Sequence, residues 1–395
     1  MPDLTEYRLV FRSGFHLGAR GVGLEESTVH VPSDTLFSAL VDAHRRAGGD
    51  ADALLAPFPC LQGEASLDGD PPFRLTSAFP FAGAVRFFPM PVPLGSWFDG
   101  ETQRVRHKDL KRIRFVSERL FRRMLAGEAM DRWLFPPEGE EPTRGIALQN
   151  GDLWLSREEV KGLPKEMRLR PDAKREIPLR ALRRARVWTL QQVPRVTVDR
   201  VSSASEIFHI ERVVFSPGCG LWFGVEWRAP DREVDGKGVT YREALHRALS
   251  LLADDGLGGE RSAGYGSFTW EQGEVLSLPT PSPGGLLCLL SRYHPRGSEL
   301  PDALTRQGTA YSLTSVGGWL RSPDGAAQRR RRLWMVAEGS IVGATSGGVQ
   351  GDVVDVRPVY EDPAGALPHP VWRYGLALGA GLQGGESWPS ISATG

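Results

Sequence analysis

The chain has 395 residues, of which 41% are hydrophobic and 24% charged, and its formal net charge is zero. This length exceeds that of one small domain and suits two, and the composition is that of a globular protein with a hydrophobic core. A neutral chain creates no overall field that attracts a polyanion, so a nucleic-acid site would have to be a local basic patch.

The cysteines exclude two common kinds of small cysteine-rich domain. Cys60, Cys219 and Cys288 are far apart and form no CxxC pair, so neither a zinc ribbon nor a disulfide framework is expected. The N-terminus lacks a signal peptide, and no run of about 18 apolar residues predicts a membrane span. We therefore predict a cytoplasmic protein with no membrane contact, no metal site and no cofactor.

The chain begins with a predicted strand, loop and helix. Alternating side chains from Tyr7 to His16 predict a half-buried strand, and glycines follow in the loop 17–31. Ser33 or Asp34 would then cap a helix that ends before Gly48-Gly49. Its apolar stripe consists of Leu36, Phe37, Leu40 and Val41.

The middle of the chain combines predicted strands with a long basic segment. We predict a second strand at Phe73–Phe81 and, after it, an insertion at about 95–200 that contains an amphipathic helix near Lys108–Leu125. A hairpin with a Pro217-Gly218 turn is predicted at Arg212–Trp227.

The clearest predicted helix follows this hairpin. It covers Thr240–Ala253 and starts with a capping box between Thr240 and Glu243. A strand at Ser267–Val275 comes next. The resulting order, β-α-β-(insert)-β-α-β, is that of a ferredoxin-like domain.

This order predicts an α+β protein with tandem ferredoxin-like (RRM-like) domains. The first would cover 1–277, and the Pro- and Gly-rich stretch 278–285 marks a boundary. The segment 284–395 is strand-rich, so we expect a second, degenerate domain of the same type. Its predicted strands are Leu286–Leu290, Leu333–Ala337, Gly351–Val359 and Trp372–Leu378.

A glycine-rich segment, GLGGERSAGYGSF, lies between the clearest helix and the following strand, at Gly256–Phe268. Glycines let a backbone approach a ligand closely, exposed amides can hold phosphates, and Arg261 adds a positive charge. The segment follows a helix rather than a strand and lacks GK[ST], so it is neither a dinucleotide fingerprint nor a P-loop. The alternative is a tight helix-to-strand turn, and the segment alone does not decide between the two.

Basic residues concentrate in three stretches. Arg104–Arg123 contains nine basic residues against two acidic ones, and Arg168–Arg200 contains ten against three. The run Arg329–Arg332 precedes a predicted strand. Arginine suits phosphate contact and base stacking, although a GC-rich genome produces the same bias and a run of charges is usually a solvated face.

Two histidines are candidates for acid–base chemistry. His16 ends the first strand, and His44 lies near the end of the first helix. RNA cleavage needs a positioned base and a cation at the scissile phosphate, and the sequence displays no such set. A structural or RNA-contacting role is the favoured interpretation of both.

The helix, the glycine-rich segment and the strand together resemble the glycine-rich loop of the RAMP superfamily of CRISPR proteins. Further segments, in chain order, resemble the fourth Csm-type subunit of type III-A CRISPR complexes. These are VPSDTLFSAL (31–40), FRLTSAFPFAGAVRFFPMP (73–91), HKDLKRIRFVSERLF (107–121), PRVTVDRVSSASEIFH (194–209), EGS (338–340), GDVVDV (351–356) and HPVWRYGLAL (369–378).

The resemblance implies a non-catalytic RNA-binding subunit that acts in antiviral defence. It would grip the repeat-derived 5′ handle of the CRISPR RNA (crRNA). It would also join the large polymerase-like subunit to the adjacent backbone RAMP subunit, and meet target RNA only near the handle–guide junction. The insertion would act as a thumb at that junction.

The expected RNA-binding residues lie in the glycine-rich segment, in the 194–200 segment and at the end of the first strand. They are Gly258, Gly259, Arg261, Ser262, Gly264, Tyr265, Gly266, Arg195, Arg200 and His16. Two alternatives stay open at this point. One is a RAMP endoribonuclease that processes precursor crRNA, and the other is an adaptor that contacts only proteins.

Overall fold

A computed structural model of the chain describes residues 3–18, 27–63, 65–169, 175–198, 205–322, 325–345, 348–358, 360, 367 and 369–383. The fold is mixed α+β. The helices are α1 Ser33–Arg46, α2 Ala51–Leu55, α3 Gly100–Val105, α4 His107–Leu110, α5 Glu118–Leu125, α6 Lys165–Arg168, α7 Tyr241–Asp255 and α8 Leu300–Leu304. No helix within the described residues is long and apolar enough to cross a membrane.

The strands number from the N-terminus. The first thirteen are β1 Asp3–Phe11, β2 Cys60–Gln62, β3 Ala65–Leu67, β4 Phe73–Leu75, β5 Phe79–Ala82, β6 Val85–Pro89, β7 Phe115–Ser117, β8 Gly145–Leu148, β9 Leu153–Ser156, β10 Trp188–Val198, β11 Ser205–Phe215, β12 Cys219–Trp227 and β13 Phe268–Ser277. The C-terminal ones are β14 Leu286–Leu289, β15 Leu313–Val316, β16 Trp319–Ser322, β17 Gly325–Arg329, β18 Leu333–Val336, β19 Ile341–Gly343, β20 Val353–Asp355, β21 Trp372–Tyr374 and β22 Gly379–Gly381.

One large sheet organises the first two thirds of the chain. Its strand order is β13-β1-β12-β5-β6-β7-β9-β8, and β4 also pairs with β12. The strands β13, β1, β12 and β5 pair antiparallel, and α1 and α7 pack against each other beside them. The strands and helices follow one another in the predicted order, except that the strand predicted at Phe73–Phe81 is divided into β4 and β5. The predicted insertion contributes β7, β8 and β9, which extend the same sheet.

The helix predicted near Lys108–Leu125 is wrong in its middle. The segment forms α4, then β7, then α5. In β7, Phe115, Val116 and Ser117 are buried, and the strand pairs with β6 and β9. Burial in the sheet therefore overrides the helical pattern of the surrounding sequence.

The predicted hairpin at Arg212–Trp227 is also wrong. The turn exists, and Gly218 has the φ of +73° that a turn glycine supplies. The two flanking strands do not pair with each other, however. β12 pairs with β1 on one side and with β4 and β5 on the other, whereas β11 forms a long two-stranded arm with β10.

The helix cap predicted at Ser33 or Asp34 is not formed, because Pro32 occupies the cap position and makes no side-chain cap. Both side chains are fully buried and turn to the C-terminal part of the chain. The Ser33 hydroxyl accepts from the backbone N–H of Arg292 at 2.9 Å. The Asp34 carboxylate accepts from Arg292 at 2.9 Å and from Arg373 at 3.0 Å.

These residues belong to a larger buried polar cluster. The Ser77 hydroxyl donates to Glu338, which also forms an ion pair with Arg292. The cluster joins α1, the β4–β5 segment and the C-terminal third of the chain. Its members, called the buried cluster below, are Ser33, Asp34, Ser77, Arg292, Glu338 and Arg373.

The C-terminal part consists of small sheets, and its buried apolar side chains belong partly to the main core and partly to a second, smaller cluster. Strand β14 lies between β19 and β22, α8 packs on β19, and β15–β18 and β16–β17 form two-stranded ladders. Strand β2 pairs in parallel with β20, so one sheet contains strands from both sides of the predicted boundary at 278–285. The main hydrophobic core also includes residues from both sides.

Candidate nucleic-acid interface

The glycine-rich segment folds back on itself between α7 and β13. Gly256, Gly258, Gly264 and Gly266 have positive φ, a region that side chains disfavour. A Cβ atom would lie only 2.3 Å from a carbonyl oxygen at Gly256 and Gly258, and 2.2 Å at Gly266. These three glycines are thus required by the packing of the turn itself.

Gly259 and Gly264 differ from the other three glycines. Gly264 has φ of +80°, and a Cβ atom placed there would meet no described atom within 4 Å, so this point of the loop faces open space. Gly259 has no positive φ, and its Cβ would be 3.2 Å from the His16 ring. The surface of the loop that a ligand can reach is therefore centred on residues 259–264.

His16 fastens the loop to the rest of the molecule. Its backbone carbonyl accepts from the N–H of Gly259 at 2.8 Å. Its Nδ1 donates to the backbone carbonyl of Glu211 in β11 at 2.7 Å. The residue is buried. His16 thus connects the first strand, the glycine-rich loop and the β10–β11 arm.

A second contact between loop and arm is made by Tyr265. The guanidinium of Arg195 lies 5.3 Å from the centre of its ring, and that of Arg212 lies 5.5 Å away, both within cation–π range. Arg212 also donates twice to the side chain of Gln191. The Tyr265 ring is buried, so its contact is with these arginines, and base stacking by Tyr265 stays a prediction.

Two of the predicted basic residues have donors to spare. The Nε of Arg195 is buried and has no hydrogen-bond partner among the described residues. Arg261 is exposed, and its guanidinium makes no hydrogen bond or ion pair within the described part of the chain. Ser262 beside it is exposed as well. Two nearby carboxylates are engaged elsewhere, since Asp254 pairs with Arg12 and Asp255 with Arg46.

The β10–β11 arm carries the predicted 194–200 segment. Among the strands that the structure describes, these two form a ladder only with each other, from Trp188 opposite Phe215 to Val198 opposite Ser205. Val196 and Ile207 are directly opposite each other and both exposed, so the arm presents apolar side chains to solvent. The predicted contact Arg200 lies outside the described residues.

The larger basic stretches are partly neutralised within the protein. Asp109 binds both Arg106 and Arg183, which ties the 104–123 stretch to the 168–200 stretch. Further ion pairs join other arginines of the two stretches to acidic side chains. They are Arg119–Glu158, Arg122–Glu118, Arg123–Glu128, Arg180–Glu141 and Arg184–Glu138. Local charge counted along the sequence therefore overstates the free positive charge here.

His44 lies away from this surface, packed against Gly49 at the end of α1. Burial lowers the pKa of its imidazole, and its Nε2 has no partner among the described residues. Within the described part of the chain, no group of three His, Cys, Asp or Glu side chains is placed to share a metal ion.

Comparison with known proteins identifies the family. Residues 282–382 match the family model of the CRISPR Csm4 C-terminal domain. A protein of Thermococcus onnurineus named CRISPR system Cms protein Csm4 is 26% identical over 353 residues, which cover 89% of this chain and 91% of that protein. The protein of the same name from Methanocaldococcus jannaschii is 22% identical over 364 residues, covering 89% and 87%. The chain is therefore similar over most of its length to proteins named Csm4, and residues 282–382 match the C-terminal domain of that family.

Solved Csm4 structures share the fold. The chain matches one in a Csm3-Csm4 subcomplex of the type III-A CRISPR-Cas interference complex with a TM-score of 0.55 and 18% identity, over 94% of this chain and 98% of the other. It matches another in a Csm1-Csm4 cassette in complex with pppApA with a TM-score of 0.51 and 19% identity, over 97% and 98%.

Proposed function

We propose that this Csm4-family chain is a subunit of a type III-A Csm complex and holds the 5′ handle of the crRNA on the glycine-rich loop and the β10–β11 arm. The observation that carries the proposal is the convergence of loop and arm at His16 and Tyr265, with Arg261 exposed on the same loop. His16, Arg195 and the loop residues Gly259 and Tyr265 come from three distant parts of the chain and meet there.

The chemistry of this surface suits a short single strand. Single-stranded RNA is bound by cations at its phosphates and by apolar or aromatic groups at its splayed bases. Arg261 on the exposed turn supplies donors for phosphates, and Arg195 adds positive charge where the arm meets the loop. The exposed Val196–Ile207 pair supplies an apolar edge, so the arm would serve as the thumb near the handle–guide junction and meet target RNA only there.

We infer that the chain also joins two protein partners. The relatives of known structure occur in a Csm1-Csm4 cassette and in a Csm3-Csm4 subcomplex. By likeness to them, this chain would connect the large polymerase-like subunit to the adjacent backbone RAMP subunit. The predicted cytoplasmic location follows from the same proposal.

The same likeness supports two finer proposals, one about the fold and one about catalysis. The first is that residues 1–277 and 284–395 are tandem ferredoxin-like units. The arrangement β22-β14-β19 with α8 on β19 would be a reduced version of the sheet that β1 and its neighbours form. The second is that the protein is non-catalytic, because His16 is held by backbone contacts on both its ring and its carbonyl.

The test is binding of labelled handle RNA and of a scrambled RNA to the full-length protein. Arg261→Ala and Arg195→Ala should each weaken handle binding several-fold, because each removes a charge-assisted phosphate contact. The matched control is Arg228→Ala, which removes an exposed arginine that pairs with Asp70, away from the loop. Equal affinity of wild type and both loop variants would place the handle elsewhere.

The same RNA tests the absence of catalysis. Repeat RNA incubated with the protein, with and without Mg²⁺ at pH values of about 6 to 9, should stay intact. Cleavage that is lost in His16→Ala or His44→Ala would instead identify a precursor-processing endoribonuclease.

A further inference from the structure

A groove on the C-terminal part of the molecule has no role in the proposed handle site. It lies between the β15–β18 and β16–β17 ladders and has a volume of about 460 Å³. Pockets of this size accommodate small organic ligands. It is called the tryptophan groove below. The main side chains that line it are Leu313, Trp319, Arg329, Arg330, Arg332 and Trp334.

The indole rings of the groove are unusually exposed. Trp334 is 61% and Trp319 48% accessible to solvent, and Leu313 between the ladders is 53% accessible. Single exposed apolar side chains are common, but several large ones in one concave surface mark a binding site. Tryptophan is costly to leave in water, since each ring presents a large apolar area.

The charge of the groove has one sign. Arg329, Arg330 and Arg332 line it, and no acidic side chain of the described residues does. The Arg329 guanidinium lies 5.1 Å from the centre of the Trp319 ring. Arg330 donates to the backbone carbonyl of Trp319 at 3.1 Å, yet its buried Nε has no partner among the residues that the structure describes. The groove therefore offers unused donors beside flat apolar surfaces.

We propose that the tryptophan groove binds a short stretch of single-stranded RNA, with bases stacked on Trp319 and Trp334 and phosphates at the arginines. A ligand here has to bring several negative charges and flat apolar faces at close spacing. Each nucleotide supplies both, and stacking on aromatic rings accepts any base. An acidic protein segment is the competing occupant, but it lacks the repeated planar groups that two open indole faces would match.

The test uses the full-length protein and an oligouridylate of about 12 nucleotides that contains no repeat sequence. Binding is followed by tryptophan quenching and by anisotropy of a labelled end. Trp334→Ala and Trp319→Ala should each weaken binding on the order of tenfold, and Arg332→Ala several-fold. Trp334→Phe keeps an aromatic face and should retain most of the affinity. Arg228→Ala, outside the groove, should bind as the wild type does.

The result can be separated from that of the handle proposal. Arg261→Ala should keep its affinity for oligouridylate, and the groove variants should keep theirs for handle RNA, because the two surfaces are built from different residues. Unchanged oligouridylate binding in both tryptophan variants would overturn the proposal. The same unchanged binding together with loss of a protein subunit from the assembled complex would assign the groove to an acidic protein surface instead.

Discussion

The buried cluster and the glycine-rich surface both gather residues from distant motifs of the chain, but they differ in how their charges are satisfied. In the buried cluster, Asp34 accepts from two arginines and is fully inaccessible to solvent. On the glycine-rich surface, Arg261 is exposed and makes no hydrogen bond or ion pair within the described residues. Motif residues of the first kind hold the protein together, whereas those of the second kind are available to a ligand.

The difference has a physical origin. A buried charge without a partner is so costly that an arginine inside the protein must be paired. An exposed arginine is stabilised by water, so it needs no partner within the protein and stays available to a phosphate. Resemblance between sequences does not distinguish a structural arginine from one that is available to a ligand. The two are distinguished by whether the folded chain supplies each arginine with a partner.

The largest effect is expected from Asp34→Ala. Removal of the carboxylate leaves Arg373 buried without a counter-ion and leaves Arg292 with only its longer ion pair to Glu338, which should lower the free energy of unfolding by about 3–5 kcal/mol. Denaturant unfolding measures the loss. The control, Asp70→Ala, breaks an exposed pair with Arg228 and should cost at most about 1 kcal/mol. Similar losses in both variants would mean that the cluster is not a structural lock.

A smaller effect is expected at the glycine-rich loop. Gly258→Ala combines a φ of +101° with a Cβ placed 2.3 Å from the His16 carbonyl oxygen, so it should destabilise by roughly 2 kcal/mol or more. Gly264→Ala has the φ penalty but free space, so about 1 kcal/mol is expected. Gly259→Ala should be nearly neutral for stability. Thermal unfolding measures the loss of stability in the three variants. Equal losses would refute the distinction between glycines required by the turn and glycines that face open space.

The pH dependence of stability should reveal His30 beside the buried cluster. Burial lowers the pKa of His30 to about 4, while Glu338, Arg292, Arg114 and Asp34 act on it more weakly.

Between its ordinary pKa and 4, only the unfolded chain binds the proton, so the free energy of unfolding should fall as pH drops through that window. Because the side chain keeps only a minor part of its surface in contact with solvent, about 1 to 2 kcal/mol is expected between pH values of about 7.5 and 5. Urea unfolding at several pH values gives the free energy of unfolding of the wild type and of His30→Gln. The contribution of His30 is the difference between the two pH dependences, and equal pH dependences would contradict the prediction.

The smallest effect concerns charge on the open surface. Arg261→Ala should leave stability unchanged within about 0.5 kcal/mol, because the side chain has no partner to lose among the described residues. The slope of log affinity for handle RNA against log salt should become shallower by about 0.7. Titrations at several salt concentrations measure it, with Arg228→Ala as the unchanged reference. A slope equal to that of the wild type would remove Arg261 from the phosphate contacts.

Some elements could be predicted because their signal is local. The helix α7 begins at the predicted capping box of Thr240 and Glu243. The strand β1 buries Tyr7 and Leu9 as its alternation indicates.

Other elements depend on partners that the sequence does not name. In the sequence, Ser33 and Asp34 have the pattern of helix caps. In the folded chain they instead accept hydrogen bonds from Arg292 and Arg373. The tryptophan groove could not be predicted, because Trp319 and Trp334 lie in different ladders and only the fold brings them together. The Arg329–Arg332 run was the one available signal, and a run of charges does not reveal what stands beside it.

The sequence by itself therefore determined the resemblance to Csm4 proteins, the α+β class and the position of the glycine-rich loop, since these rest on local patterns and on motif order. Only the tertiary structure decided which charges are free. Pairing across hundreds of residues neutralises Asp34 with Arg373, and Asp109 pairs with Arg183, while Arg261 stays open to solvent. The reason is that the energy of a charge depends on its distance from other charges and from water, and both distances are set by the folded chain.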